Sequence, residues 1–167
     1  QAAGTLKNAE IDLIYFGGLY TEAGLLARQA ADFGLSATMV GGDGIASSEY
    51  AQVAGPASEG TLMTFAPDPR SNPSAKAAAE AFRKDGFEPE AYTLYAYAAV
   101  QVLKAGIEMS GSTEPEEVAS ALKSGKVVKT VIGDLSFDGK GDRLDEDFIV
   151  YRWAKENDGS IGYKPLN

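Results

Sequence analysis

The residues best suited to chemistry stand at the ends of two apolar runs. The first is Ile11-Asp-Leu-Ile-Tyr-Phe-Gly-Gly18, followed by Leu19 and Tyr20; the second is Ala37-Thr-Met-Val-Gly-Gly-Asp-Gly44. Asp43 can be read in two ways. It is either a turn residue bonding its own backbone or a carboxylate held to receive a ligand ammonium through a charge-assisted hydrogen bond. Tyr20 is either an ordinary interface aromatic or one wall of a cleft, since tyrosine offers an apolar body and a polar tip. The pairs Gly17-Gly18 and Gly41-Gly42 let a backbone come close to a ligand. The second run lacks the Lys-Ser/Thr of a phosphate loop and the spacing of the dinucleotide fingerprint.

What the sequence lacks narrows the chemistry further. Its 167 residues include no histidine and no cysteine. That excludes Cys/His metal sites, thiol nucleophiles and the Ser-His-Asp arrangement. Asp138-Gly-Lys-Gly-Asp142 resembles a calcium loop only superficially: Lys140 occupies a ligand position and Arg143 sits where the loop needs glycine. It reads as a solvated turn. Glu114, Glu116 and Glu117 read as a helix-start cluster. No pair of carboxylates is marked for acid–base work, and no cofactor motif is present. A net charge of −9 argues against nucleic acid, which needs clustered Lys and Arg. There is no apolar run of membrane-spanning length.

The elements that must position these residues follow from periodicity. Glu10 to Phe16 reads as a strand, apolar on both faces and therefore central in a parallel sheet. Thr21 is the expected N-cap of a helix from Glu22 to Phe33, with Leu25, Leu26, Gln29, Ala30 and Phe33 recurring at helical spacing and Gly34 as the stop. Ala37 to Val40 is a second strand. Ligands in open α/β sheets collect at the carboxyl ends of such strands. Ser47 or Ser48 caps a short helix through Val53, and Gly55-Pro56 breaks it. Thr61 to Phe65 is a third strand, and Ala66 to Pro73 reads as a crossing segment. Helices follow at about 74–84 and 90–109, the longer with Tyr92, Tyr95, Ala96, Ala99, Val102, Leu103 and Ile107 at helical spacing. Thr113 is the expected cap of another helix, which ends at Gly125. Val127 to Phe137 is extended. Asp147 to Ala154 alternates, and Asn157-Asp-Gly159 turns the chain into a last strand.

Taken in order, Ile11 to Gly18, Glu22-Ala-Gly24, Arg28-Gln-Ala30, Gly42-Asp-Gly44, Ala57-Ser-Glu-Gly60, Tyr97-Ala-Ala99 and Phe137 to Asp142 resemble the second half of the periplasmic leucine/isoleucine/valine-binding proteins of ABC transporters, which have the type I two-lobed fold. The resemblance implies an α/β chain carrying parts of two Rossmann-like three-layer lobes. Residues 1–65 and 147–167 would belong to the carboxyl-terminal lobe and 66–146 to the amino-terminal lobe, with crossings near 65–70 and 143–147. It implies a solute-binding protein, not an enzyme, that closes on a small amino acid, needs no cofactor, works in the periplasm and delivers to a membrane permease. Asp43 holds the place of the acidic residue that takes the ligand ammonium. Tyr92 matches an aromatic that touches the ligand side chain. Gly18, Leu19 and Tyr20 stand where a tyrosine follows the glycine pair in some members; here Leu19 takes that position and Tyr20 is one later. The family's first half has no counterpart, so the chain is expected to be a fragment, or to pair with the missing half or with a second copy. An amide or amino-acid sensor of the same fold is the alternative.

Overall fold

A computed structural model of the chain describes residues 2–144 and 148–166. In chain order the elements begin with α1 (Ala2–Asn8), β1 (Leu13–Phe16), α2 (Tyr20–Asp32), β2 (Thr38–Gly41), α3 (Ser48–Ala54) and β3 (Leu62–Phe65). The middle of the chain forms α4 (Lys76–Lys84), α5 (Ala91–Ser110) and α6 (Pro115–Leu122). It ends with β4 (Val128–Thr130), β5 (Gly133–Leu135), β6 (Ile149–Lys155) and β7 (Ile161–Pro165). Single turns of 3₁₀ helix lie at Asp43–Ile45, Gly55–Ser58, Pro69–Ser71 and Pro73–Ala75. The chain divides into two compact units, one of residues up to Pro67 together with those from Phe148, the other from Asp68 to Asp147. The second expected crossing, near 143–147, falls partly outside the described residues.

The first unit is built on a five-stranded sheet ordered β1-β2-β3-β6-β7. β1, β2 and β3 run parallel, and β6 and β7 add antiparallel to them. One face is the core. Ile14, Met39, Met63, Tyr151 and Trp153 are buried on it, as the period-two alternation of a strand requires. The alternation expected at the end of the chain holds, with Tyr151 and Trp153 inside and Phe148, Val150 and Arg152 outside. Trp153, the sole tryptophan, packs at 5.1 Å ring-centroid distance from both Tyr50 of α3 and Tyr163 of β7. The Tyr50 hydroxyl lies 2.7 Å from the Thr61 hydroxyl. Burial pushes the Tyr50 phenol above its ordinary value, and the bond to Thr61 only partly offsets that.

Several expectations need correction here. Within this chain β1 is not central: among the described residues it pairs with β2 alone and forms an edge of the sheet. Its run is apolar on both faces, yet Leu13 and Tyr15 are 55% and 73% exposed. The inner face of α2 is Ala23, Gly24, Ala27 and Ala30, whereas Leu25, Gln29 and Phe33 face outward. The reason is closeness: a Cβ on Gly24 would lie 2.8 Å from the Val53 side chain of α3. Only small residues fit that face. Thr21 is not the cap of α2, which begins two residues earlier than expected, at Tyr20, with Leu19 in the N-cap position and no side-chain cap. Ser47 does cap α3, accepting from the Glu49 N–H at 3.3 Å.

In the second unit α5 packs on α6 at Gly106, where a Cβ would meet Val118 at 2.8 Å. The buried positions of α5 include Leu94, Ala98 and Gly106, whereas Tyr92, Ala96, Ala99 and Leu103 are exposed. The apolar stripe of the sequence is wider than the surface this unit covers. Glu114, not Thr113, is the N-cap of α6, and the Ser112 hydroxyl accepts from its N–H. The extended run expected over Val127–Phe137 is a tight hairpin of β4 and β5. Gly133 turns it with φ of 108°, a conformation open to glycine but strained for other residues. The Gln101 side chain accepts from Val131 N–H, and Asn72 donates to the Ile132 carbonyl, pinning that hairpin.

Asp138 closes the polar turn. Its Oδ1 accepts from the backbone N–H groups of Asp142, Gly141 and Lys140, each at 2.9 Å. Those bonds, with Asp142 the largest, hold its carboxyl below the ordinary carboxylate value. The stability contribution is therefore complete above the unfolded-state value near 3.9 and is lost as pH falls toward the lower folded value. Asp138→Asn is expected to lower stability near pH 7, where the contribution is fully present, and to converge with the unsubstituted protein toward pH 2.5, which flattens the acid limb of the stability–pH curve. Urea midpoints measured between pH 2.5 and 7 check this.

Candidate functional site

The carboxyl ends of β1 and β2 meet in the first unit. After Phe16, β1 gives way to Gly17-Gly18, and Leu19 and Tyr20 start α2. The first N–H groups of a helix lack intrahelical acceptors, so this end of α2 presents donors and the positive end of its dipole. Ala23 makes the first intrahelical bond, donating to the Leu19 carbonyl at 3.1 Å. Leu19 is exposed and Tyr20 half-buried.

After β2 the chain winds into the 3₁₀ turn Asp43–Ile45, closed by the Ala46 N–H on the Asp43 carbonyl at 2.9 Å. Burial explains why this turn presents Asp43. Ile45 and Ala46 are fully buried, and the Ile45 side chain packs over Gly41, where a Cβ would meet it at 2.7 Å. With those two residues anchored inward, the Asp43 side chain is left exposed. The two loops touch through their backbones: a Cβ on Gly44 would fall 2.4 Å from the Gly18 carbonyl oxygen. Gly18 in turn rests against the Phe16 ring, 2.7 Å from where its own Cβ would stand.

Gly18, Leu19, Tyr20 and Asp43 are thus brought to one end of one sheet. Tyr92 belongs to the other unit, as the second residue of α5, and is 44% exposed. Glu90 and Thr93 form a capping box around it, which fixes the start of that helix. The contributions of Phe16 and Gly44 were not legible as contacts in the sequence. The only signal for Gly44 was its place in the Gly-Gly-Asp-Gly run.

A cavity of about 210 Å³ lies elsewhere in the first unit, under α2 at the amino ends of the strands, among Ile14, Ala27, Leu35, Met39 and Thr61. It is remote from Asp43 along the strands and carries one carboxylate, Glu59. Among the described residues no group of three or more acidic side chains is disposed to hold a metal ion, and no helix is long and apolar enough to cross a membrane.

The mixed α/β architecture agrees with comparisons to known proteins. A family model described as periplasmic binding protein matches residues 2–159, and the chain belongs to that family. A Leu/Ile/Val-binding protein homolog of Brucella suis biovar 1 is 53% identical over 158 residues, 95% of this chain and 43% of that protein. The Leu/Ile/Val-binding protein BraC3 of Rhizobium johnstonii is 46% identical over 149 residues, 89% of this chain and 41% of that protein. Among solved structures, a leucine-binding protein LivK from Thermotoga maritima matches with TM-score 0.80 and 29% identity, over 99% of this chain and 47% of that one. The substrate-binding protein LivJ of Streptococcus pneumoniae, solved with isoleucine, matches with TM-score 0.74 and 26% identity, over 99% of this chain and 48% of that one. The fold is that of type I periplasmic binding proteins. The chain spans less than half the length of these relatives.

Proposed function

We propose that the chain contributes the ammonium-recognising part of an amino-acid site in the solute-binding component of an ABC transporter. The ligand is a small amino acid of the branched-chain class, the location is the periplasm, and the receiving partner is a membrane permease. The protein binds and releases without chemistry, in keeping with relatives that are named as binding proteins. The observation that carries this reading is Asp43: an exposed carboxylate on a turn anchored by Ile45 and Ala46, at the carboxyl end of a parallel strand, in a chain of this family. Gly18, Leu19 and Tyr20 supply the adjoining backbone and wall, and Tyr92 supplies a contact to the ligand side chain.

On the same reading the two units are parts of the two lobes, and the remainder of the protein covers the apolar surface this chain leaves open. That surface includes Leu13 and Tyr15 on the sheet, and Val100 and Leu103 on α5, each more than half exposed. It also includes a concavity of about 360 Å³ in the second unit, lined by Tyr95, Ala99, Val102, Leu122 and Phe137. Exposed apolar surface of this kind on each unit is normally buried against a partner.

Thermal unfolding of the full-length protein against a panel of the twenty amino acids tests the proposal. Leucine, isoleucine and valine are expected to raise Tm, with stabilisation of about 2.7 kcal/mol at a ligand concentration of roughly 100 times Kd. No shift with any amino acid, together with a shift for a neutral amide, would move the function to the sensor class.

A further inference from the structure

We propose that Gly44 is a positioning residue for the ligand site, setting the distance between Asp43 and the Gly18–Tyr20 loop. This rests on the amino-acid reading above and adds a residue that touches no ligand. Gly44 is not glycine for conformational reasons, since it is absent from the glycines with positive φ. It is glycine because another backbone occupies the place of its side chain. A Cβ there would sit 2.4 Å from the Gly18 carbonyl oxygen and 3.4 Å from both the Gly18 carbonyl carbon and Leu19 Cδ2. Real Cβ atoms essentially never approach within 3.0 Å, so any L-residue at 44 requires a shift of about 0.6 to 1.0 Å.

The structure also says which side gives way. Asp43–Ile45 is anchored by the buried Ile45 and Ala46 and by the packing of Ile45 on Gly41. The Gly18–Leu19 segment is less held, with Leu19 63% exposed. The displacement therefore falls on Gly18, Leu19 and Tyr20, ahead of the buried Ala23 and Gly24, and moves that loop away from Asp43. A ligand that must reach both loops loses one of them. Misplacement on the order of 1 Å is enough to reduce a preorganised interaction severely.

Two readouts on Gly44→Ala in the full-length protein test this. Backbone amide chemical shifts of Gly18, Leu19 and Tyr20 are expected to move while those of Met63 and Tyr151 in the core stay in place. Calorimetry with leucine is expected to show a loss of affinity on the order of tenfold, shrinking to less than about twofold when Asp43→Asn is already present, because coupled sites are non-additive. Unchanged shifts at 18–20 overturn the backbone contact. Moved shifts with unchanged affinity overturn the positioning role. Moved shifts at Met63 and Tyr151 as well make Gly44 a residue of the fold and overturn the role too. If the unmodified protein binds no amino acid, the proposed function falls with it; if that protein binds and only Gly44→Ala is silent, the proposed function stands.

Discussion

Asp43→Asn in the full-length protein is expected to weaken binding of a branched-chain amino acid by about 2–4 kcal/mol, roughly 30- to 1,000-fold. The substitution keeps shape and hydrogen-bonding capacity and removes the charge. A ligand ammonium drawn out of water would then lack its counter-ion, and most of the loss is that unpaired charge. Asp43 is exposed in this chain, so the effect depends on how far a bound ligand excludes water. Calorimetry provides the magnitude. An internal control uses a 2-hydroxy acid with the same side chain, which has no ammonium: it should bind weakly to both proteins and barely distinguish them. Equal affinity of both proteins for the amino acid would remove Asp43 from this role.

The largest effect on stability is expected at Trp153. This residue is essentially inaccessible and wedged between Tyr50 and Tyr163. Trp153→Ala is expected to destabilise the protein by about 3–5 kcal/mol, the lost burial adding to the cavity left behind. Trp153→Phe should cost much less. Among the described residues the buried indole Nε1 has no hydrogen-bond partner, so phenylalanine removes an unsatisfied donor while giving up some area. Urea unfolding followed by circular dichroism measures both, since the substitutions remove the sole tryptophan fluorophore. A change under about 1 kcal/mol for Trp153→Ala would mean that this cluster does not organise the sheet.

Much of the element order was legible because it rests on local signals. The glycine-ended runs mark β1 and β2, Ser47 marks the start of α3, and the alternation around Tyr151 and Trp153 marks β6. Failures occurred where the third dimension decides. β1 reads as central because Leu13 and Tyr15 are apolar, yet within this chain it is an edge. The inward face of α2 reads as its large residues, but close approach of α3 reserves it for Ala23, Gly24, Ala27 and Ala30. The Val127–Phe137 run looks continuous, and only the hairpin pairing of Val128 with Leu135 reveals the turn.

The candidate site was legible in its residue types and not in its mechanics. Asp43 stands out as a carboxylate between glycines at a strand end. That Ile45 and Ala46 anchor its turn, and that Gly44 lies against the Gly18 carbonyl, follows from packing across 26 residues of sequence separation. No periodicity encodes such a contact. Tyr92 was matched by resemblance alone, and it stands exposed at the start of α5.

The most direct measurement is a crystal structure of the full-length protein with its amino-acid ligand bound. The expected result is a ligand nitrogen at about 2.7–2.9 Å from an Asp43 carboxylate oxygen, the distance of a charge-assisted bond, with the ligand against the Gly18–Tyr20 loop. A ligand whose ammonium is paired with another acidic group, leaving Asp43 to its own turn, would contradict the account.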